Sequence, residues 1–565
     1  MYKPFQAFTK FVPYILFFSE FLYFAYIHSW EVDPHHDGIM YTAAVGFFEG
    51  KVPNRDFFAQ YGPITPVIQG LWFRIMEPTV WNLKLLTSLG LALIGTFVYI
   101  GVKRRLSILT AALLSICWVL SGPFGLPWSS VFAIIFISAS LLLLESILSS
   151  RFRRNNVYLA FAVGVMLALG TYTRIQTALV FLAASLGLLL VKNRIQYLRV
   201  TFWLNLGFFF TFGSITFVLA KSHALKPYLD QCIVWASGRY AGGPETPISF
   251  FSNLAWIPFF GMFNLLMIRM ILRFKSSRSL EVRFITLGTF LFYVMLLIFS
   301  QWPRHGAQTL RNPRVLEIIG GQKAQFAFNF SVLTLFLLLI LQVVYFWVKK
   351  VRAGKFVGSE SQITYFLVAG ATATQLYPYT DEYHIAFVVP VIIVASVFVF
   401  PKHSNLLPNQ HAFYFVALAL IPSLLVHFLL LAHLDRYEFQ SRTLTGMYGS
   451  WQSAKSLDST MVALENEPPG IRFSCADGIY AGAGGRYLSI DEKFVTWGPP
   501  PRAAKDFDRE FLCYANNQII NSYLSQGWYV KFKVLWRPVT GYSDISSWNV
   551  LFEKRRVDAT KGGSL

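Results

Sequence analysis

Long apolar runs recur through most of this sequence, and they constrain its fold more than any other feature. A helix needs about 20 apolar residues to cross the hydrocarbon of a bilayer. Runs of this kind predict about thirteen membrane spans, near residues 11–29, 83–102, 106–121, 128–148, 157–173, 175–191, 201–220, 250–272, 284–300, 327–348, 362–377, 384–400 and 411–431. The sequence therefore predicts a polytopic α-helical membrane protein.

The composition excludes the main alternatives. Of the 565 residues, 55% are hydrophobic and only 14% are charged, whereas about 25% of the residues in a soluble protein are charged. The chain has 4 cysteines, too few for a disulfide scaffold. The net charge of +20 comes mainly from short basic clusters between the apolar runs, which is typical of membrane topology and not of a nucleic-acid groove.

These basic clusters also predict the orientation of the chain. With thirteen spans every cluster falls on one side of the membrane, which the positive-inside bias identifies as the cytoplasm. The clusters are Lys3/Lys10, Lys103/Arg104/Arg105, Arg151/Arg153/Arg154, Lys192/Arg194/Arg199, Arg273/Lys275/Arg278/Arg283, Lys349/Lys350/Arg352/Lys355 and Lys402. We therefore expect a multi-pass protein of the inner or plasma membrane, with a cytoplasmic N-terminus and an extracytoplasmic C-terminal part.

Two domains follow from this topology. Residues 1–435 form the membrane domain, with a large first outer loop at 30–82 in which 64–76 reads as an interfacial or re-entrant helix. Residues 436–565 have ordinary polarity, turn clusters and short alternating runs, and they predict an extracytoplasmic α+β domain. Cys475 and Cys513 both lie there and could form a disulfide in an oxidising compartment, although the sequence does not establish their pairing.

The first outer loop holds the densest group of polar side chains, at residues 30–41. Pro34 restrains the backbone there, Gly38 permits close approach, and residues 39–49 predict an amphipathic helix lying on the membrane. The candidate site residues of this loop are Asp33, His35, His36, Asp37 and, further along, Arg55. One interpretation is a catalytic carboxylate whose basicity is tuned by partial desolvation. The other is a solvated loop that is rich in turn-forming residues.

A divalent cation is a further alternative for this loop. Two histidines and two aspartates, at positions 33–37, are of the ligand types that such ions use. Against this, the adjacent His35 and His36 point in different directions in any regular element. No other cofactor is indicated, because the sequence has no Gly-rich phosphate loop, no CxxC pair and no GxSxG elbow.

A second cluster lies in the outer turn at 375–385. Asp381 and His384 are three residues apart, so a helical turn would place them on one face. They could orient a sugar hydroxyl or assist a base. Alternatively, Asp381 caps the following span and His384 is an interfacial residue.

A third group consists of basic residues on the outer side, where Lys and Arg are disfavoured. Arg304, Arg311 and Arg314 lie in the loop 301–326, and Arg174 lies at the outer end of its span. Guanidinium groups bind phosphate bidentately, so an anionic phosphate at the outer leaflet would explain them. Salt bridges to the outer acidic loops, or one miscounted span, would explain them as well.

The plan resembles the GT-C superfamily of integral-membrane glycosyltransferases, which use polyprenyl-phosphate sugar donors. The stretch Asp37-Gly-Ile-Met-Tyr41 is similar to the Asp-Glu-x-x-Tyr pattern of the aminoarabinose-transferase and protein-mannosyltransferase branches. The resemblance implies that Asp37 is the catalytic base. This sequence departs from the pattern at Gly38, where those branches have a second acid, so Asp33 remains an alternative base.

The resemblance implies transfer of a sugar from a polyprenyl phosphate to an extracytoplasmic glycan, lipid or protein, with inversion at the anomeric carbon. Membrane lipid is the other expected partner, and nucleic acid is not. Two other functions remain open. A transporter or flippase for a lipid-linked substrate would carry its charged sites near the bilayer midplane. An oligosaccharide ligase or polymerase would share the lipid-phosphate leaving group but move a whole glycan.

Overall fold

A computed structural model shows the architecture of the chain. It describes residues 3–30, 32–59, 61–120, 126–149, 155–191, 194–235, 332–333, 360–376, 382–399, 436–475, 478–486, 508–536 and 547–554. The predicted spans at 250–272, 284–300 and 411–431, and nearly all of the one at 327–348, lie outside these residues. The count of about thirteen spans is therefore not confirmed.

The described residues before 236 are mainly helical. The helices are α1 (Lys3–His28), α2 (His36–Phe48), α3 (Ile64–Trp72), α4 (Val80–Lys103), α5 (Ile108–Leu120), α6 (Ser129–Ser149), α7 (Asn155–Thr173), α8 (Thr177–Leu189), α9 (Arg194–Lys221) and α10 (Leu225–Leu229). A π-helical turn, Asp230–Trp235, follows α10. Two later helices, α11 (Glu360–Ala373) and α12 (Glu382–Val399), pack back into the same bundle, against α8 and against α4 and α6 respectively.

Five described helices are long and apolar enough to cross a membrane: α1, α4, α6, α7 and α9. The predicted spans at 106–121, 175–191 and 384–400 are also apolar helices, but shorter. The outer surfaces of α8 and α9 expose large apolar side chains, among them Leu182, Leu186, Phe209, Phe210 and Phe217. Such a continuous apolar surface fits contact with lipid and not with water.

Small residues let the helices of this bundle approach closely. A Cβ added to Gly164 of α7 would lie 2.0 Å from the carbonyl oxygen of Leu204, and one added to Gly207 of α9 would lie 2.2 Å from that of Phe161. Backbone contact through small residues is how membrane helices gain packing energy, because lipid supplies no hydrophobic force between them.

The helix predicted at 39–49 is present as α2, but it is buried within the protein and is not amphipathic. Ten of its 13 residues are buried, from Asp37 to Gly46, so it has no exposed polar face. The described C-terminal residues 478–482 cover its first turns. The expectation of an amphipathic surface helix was therefore wrong: burial against a segment distant in sequence leaves no trace in local periodicity. The predicted interfacial segment at 64–76 forms the short helix α3.

The described C-terminal residues form a mixed α+β region. Strand β1 (Arg436–Glu438) pairs with β2 (Tyr448–Ser450), and a second sheet has the order β3-β4-β6-β5. The strands of that sheet are β3 (Arg472–Ser474), β4 (Arg509–Ala515), β5 (Trp528–Trp536) and β6 (Ser547–Lys554); the helices are α13 (Trp451–Glu465) and α14 (Asn517–Ser525). In this sheet β3 and β4 run parallel, and the other pairs of described strands are antiparallel. The predicted sheet character is confirmed.

Cys475 and Cys513 form a disulfide across the start of this sheet, with their Cα atoms 5.2 Å apart. The bond follows β3 and joins it to β4, so it fixes the chain just before residues 478–486. Cys117, in contrast, is buried in the helical core and forms no disulfide.

Replacing both Cys475 and Cys513 by Ser is expected to lower the free energy of unfolding of the C-terminal region by about 2–4 kcal/mol, because the 38-residue closure no longer restricts the unfolded chain. Pulse proteolysis of the full protein in urea, scored by cleavage within 508–554, measures this. Wild-type protein under reducing conditions should match the double variant. Equal stability of oxidised wild type and variant would contradict the prediction.

Candidate functional site

The centre of the site is a buried ion pair at the first turn of α2. The Nζ atom of Lys84, on α4, lies 2.8 Å from Oδ2 of Asp37. Asp37 is fully buried and Lys84 is only 4% exposed. The other carboxylate oxygen of Asp37, Oδ1, is also buried and has no hydrogen-bond partner among the described residues. A carboxylate oriented by a cation on one oxygen therefore keeps an open lone pair on the other.

Asp33 and Asp37 also hold each other in place at the start of α2. The backbone N–H groups of His35 and His36 donate to Oδ1 of Asp33, at 3.0 and 2.9 Å, while the backbone N–H of Asp33 donates to Oδ2 of Asp37 at 2.9 Å. This reciprocal arrangement resembles a capping box, in which two polar side chains satisfy the free N–H groups of a helix start. Both aspartates are thus part of the local fold as well as candidates for chemistry.

The pKa values of the two carboxylates are shifted in opposite directions. Burial raises the pKa of Asp37 to about 6, and the repulsion from Asp33 adds to that effect, while Lys84 opposes it. Burial would also raise the pKa of Asp33, but the hydrogen bonds and charge of His36 outweigh it and lower that pKa to about 2. A proton acceptor near neutral pH works best with a pKa near the working pH, which favours Asp37 over Asp33 as a base.

The two predicted histidine clusters meet on one tryptophan. Nδ1 of His36 lies 2.8 Å from Oδ2 of Asp33, and its ring packs edge-on against Trp128 with centroids 5.0 Å apart. The ring of His384 lies on the same Trp128, at 5.4 Å. The ring of His35 contacts that of His36 at 4.8 Å. The start of α12, which carries His384, and the start of α2 therefore lie at one site, in which the side chains of Asp33 and His36 are more than a third exposed.

Arg174 lies at the same end of the helical bundle, between α7 and α8. Its guanidinium donates from Nη1 to Oγ of Ser130, two residues after Trp128, and from Nη2 to the carbonyl oxygen of Gln375 at 3.2 Å. The Tyr61 ring lies 5.8 Å from its Cζ atom. Arg174 is only 4% exposed, so it contributes a buried positive charge close to the histidine cluster.

Arg55 is placed differently. Its Nε and Nη2 atoms each donate to a carboxylate oxygen of Asp56 at 2.8 Å, and Nη1 donates to the carbonyl oxygen of Ser222 at 3.1 Å. The guanidinium group of Arg55 thus joins the first outer loop to the end of α9. A role of Arg55 in binding substrate remains a prediction. Arg304, Arg311, Arg314 and Asp381 lie outside the described residues.

The described part of the site shows no ready set of metal ligands. The ammonium group of Lys84 stands where a cation would bind Asp37, and the oxygens of Asp33 accept from backbone N–H groups and His36. Among the residues that the structure describes, no group of three or more His, Cys, Asp or Glu side chains is arranged to hold a metal. The divalent-cation alternative for Asp33, His35, His36 and Asp37 therefore finds no support in their geometry.

Lys84 and Trp128 are the functional candidates that the sequence did not reveal. Lys84 lies near the start of an apolar span, where a lysine ordinarily extends its ammonium group to the interface. Trp128 lies at the start of another span, where tryptophan is common for the same reason. The only signal in the sequence is position: both lie at the predicted outer ends of their spans.

Together these residues define a membrane-associated helical protein with a polar site at one end of the bundle, covered by an α+β region. No model of a known protein family matches the sequence, and no curated protein matches it. The solved structures that are similar to it include three from two organisms. ArnT from Cupriavidus metallidurans, solved with undecaprenyl phosphate bound, is 10% identical over 100% of both chains, with a TM-score of 0.45.

The other two structures are from Archaeoglobus fulgidus. An oligosaccharyltransferase in complex with Zn and sulfate is 14% identical, with a TM-score of 0.38, over 84% of this chain and 54% of that one. The oligosaccharyltransferase AglB, in complex with an inhibitory peptide and a dolichol-phosphate, is 14% identical, with a TM-score of 0.37, over 84% and 57%. Likenesses at these identities and TM-scores do not determine an activity, which has to be inferred from the site.

Proposed function

We propose that this protein is a multi-pass membrane glycosyltransferase, which transfers a sugar from a polyprenyl-phosphate donor to an extracytoplasmic acceptor with Asp37 as general base. The observation that carries the proposal is the buried Asp37–Lys84 pair with its open Oδ1 atom. The position of this pair also matches the motif that carries the sequence resemblance, Asp37-Gly-Ile-Met-Tyr41.

The proposed reaction needs one base and one stabilised leaving group. The acceptor hydroxyl gives its proton to Oδ1 of Asp37 while its oxygen attacks the anomeric carbon. The bond from that carbon to the phosphate oxygen breaks with its electron pair, releasing polyprenyl phosphate and inverting the anomeric centre. A positioned base contributes about 10²–10⁴-fold to such a step. Because Asp37 is fully buried, the proposal requires the packing over Oδ1 to open when substrates bind.

Buried cations would stabilise the departing phosphate. Charge that develops in the transition state is best stabilised by preorganised positive groups in a water-poor site. Arg174 is such a group, since Ser130 and the Gln375 carbonyl hold its guanidinium at this end of the helical bundle. We propose that the basic residues of loop 301–326 add to it.

The proposed reaction also requires the site to lie on the extracytoplasmic side of the membrane. Nucleotide sugars stay in the cytoplasm, so transfer outside it needs a donor carried across on lipid. We place residues 436–565 and the Asp37 site on that outer side, as the positive-inside bias of the basic clusters indicates. We also propose that the membrane domain ends at residue 435 and that the extracytoplasmic domain begins at residue 436.

A transfer assay tests the proposed function. Purified protein in nanodiscs is incubated with a panel of polyprenyl-phosphate sugars and with envelope glycans, lipids or proteins as acceptors, and release of polyprenyl phosphate is measured. Release that depends on both donor and acceptor supports a glycosyltransferase. Release only with donors that carry a whole glycan indicates a ligase or polymerase. No release with any donor, together with lipid movement across the bilayer, indicates a flippase.

The rate should depend on pH through the Asp37 carboxylate. Only its ionised form accepts a proton, and burial raises its pKa to about 6, so kcat/KM should rise with pH through about 6 and be about tenfold below its plateau at pH 5. Among the described residues, the charged groups that act on Asp37 are Lys84 and Asp33, and His36 pairs with Asp33. His36→Gln tests whether Asp37 or His36 causes the loss of rate at low pH. If Asp37 causes it, the acid limb of the pH–rate profile should stay near pH 6 in this variant. A limb that disappears with His36 would contradict the assignment.

A further inference from the structure

We propose that the backbone turn at residues 478–483 is a positioning element of the active site, which holds the first turn of α2 and thereby the Asp37 carboxylate. The inference rests on the proposed function, in which Asp37 is the base. It gives the C-terminal region a part in catalysis besides any contact with the acceptor.

The turn and the start of α2 are in direct backbone contact. The N–H of Ile479 donates to the carbonyl oxygen of Pro34 at 3.0 Å. A Cβ added to Gly38 would lie 1.9 Å from the backbone nitrogen of Ile479, and one added to Gly478 would lie 2.9 Å from that of Ile39. Two glycines thus meet where no side chain fits. This explains why the second acid of the family pattern is missing next to Asp37.

A second contact fixes the next turn of α2. Tyr41 is fully buried, and a Cβ added to Gly482 would lie 2.7 Å from its ring. On its other side the Tyr41 hydroxyl donates to the carbonyl oxygen of Pro78 at 2.7 Å, just before α4 begins. The helix that carries Asp37 is therefore held between the turn and the helix that carries Lys84.

The turn is itself anchored to the sheet. The disulfide at Cys475 fixes the chain before it, and the Nδ2 of Asn549, on β6, donates to the Tyr480 hydroxyl at 3.1 Å. Behind it the backbone N–H of Gly484 donates to Oγ1 of Thr443 at 3.1 Å. A continuous set of contacts therefore runs from the sheet through the turn to Asp37.

Rigid support of this kind matters for a base, because a displacement of about 1 Å can cost about 10²-fold in rate. The turn acts through backbone atoms: Tyr480 is the only titratable residue in 478–483, and its hydroxyl contacts Asn549 on the sheet. Loosening the turn should therefore change how Asp37 is placed and how well it is shielded from water, without removing a charge from the site.

Gly38→Ala tests the proposal, with Gly370→Ala as the matched control, because Gly370 is also helical and has open space around its Cβ position. In Gly38→Ala we expect kcat to fall about 10–100-fold, with KM for the donor within about twofold. We also expect the acid limb to move to lower pH, since a more exposed Asp37 is a stronger acid. Lys84 and Asp33, which act on Asp37, and His36, which pairs with Asp33, all remain in this variant.

Hydrogen–deuterium exchange makes the test independent of activity. Amides of 36–42 should exchange at least tenfold faster in Gly38→Ala and in the milder Gly478→Ala, while those of 509–515 stay as in wild type. If wild type transfers no sugar, the proposed function fails, and the exchange result still decides whether the turn holds α2. Unchanged exchange in both variants, or a Gly38→Ala enzyme with the kcat and acid limb of the control, would overturn the proposal.

Discussion

Asp37→Asn is expected to lower the rate of sugar transfer by about 10²–10⁴-fold, the contribution of a positioned base. The amide keeps the shape of the carboxylate and can still accept the N–H of Asp33, so the start of α2 should persist. The loss should appear in kcat, with little change in KM for the donor. Single-turnover release of polyprenyl phosphate measures it.

Asp33→Asn is the matched control for Asp37→Asn. It alters the neighbouring carboxylate, which also caps α2, but whose pKa of about 2 makes it a weak proton acceptor. We expect a much smaller loss of rate, about tenfold or less. If Asp33→Asn removes transfer and Asp37→Asn does not, the base is Asp33 and the assignment made here is wrong.

Lys84→Met should have the second largest effect, on both stability and rate. Removing one partner of a buried ion pair leaves an uncompensated charge and costs about 3–5 kcal/mol. Binding of a proton by Asp37 removes this uncompensated charge, so the pKa of Asp37 rises further. A carboxyl group with a raised pKa destabilises the fold as pH increases. The variant should therefore be least stable at neutral and alkaline pH and recover toward pH 5, while its acid limb of activity moves up.

The double variant Lys84→Met/Asp37→Asn is the control for this effect. It removes both charges, so most of the lost stability should return, but no transfer should be detectable. Thermal unfolding in nanodiscs between pH 5 and pH 8 measures the stability of all four proteins. A Lys84→Met protein that is as stable as wild type at every pH would mean that the pair makes no net contribution.

The membrane helices could be predicted from the sequence because each one carries its own signal. A run of apolar residues needs no tertiary partner to be recognised, and the predicted spans near 83–102, 128–148, 157–173 and 201–220 all coincide with long apolar helices. The alternating run at 528–536 likewise forms strand β5. The pairing of Cys475 with Cys513 was left open by the sequence, and the structure establishes it.

The site itself was only partly predictable. The sequence indicates Asp33, His36 and Asp37 as candidates in the first outer loop and His384 as one in a later turn. It does not indicate that Trp128 contacts both His36 and His384. Lys84 was missed because a lone lysine near the end of a span has an ordinary explanation. The burial of α2 was missed for a related reason: its covering residues lie at 478–482, and contacts between distant segments leave no local pattern.

The contact between Gly38 and Ile479 also has a consequence for biosynthesis. The first half of the site is made early in translation, whereas the turn that supports it emerges only after all the predicted membrane spans have been synthesised. Domains fold as units while the chain is made from its N-terminus. On the proposed function, a nascent or truncated chain would hold donor-binding helices without an aligned base, so premature turnover of the lipid carrier is prevented until the exported end has been delivered and oxidised.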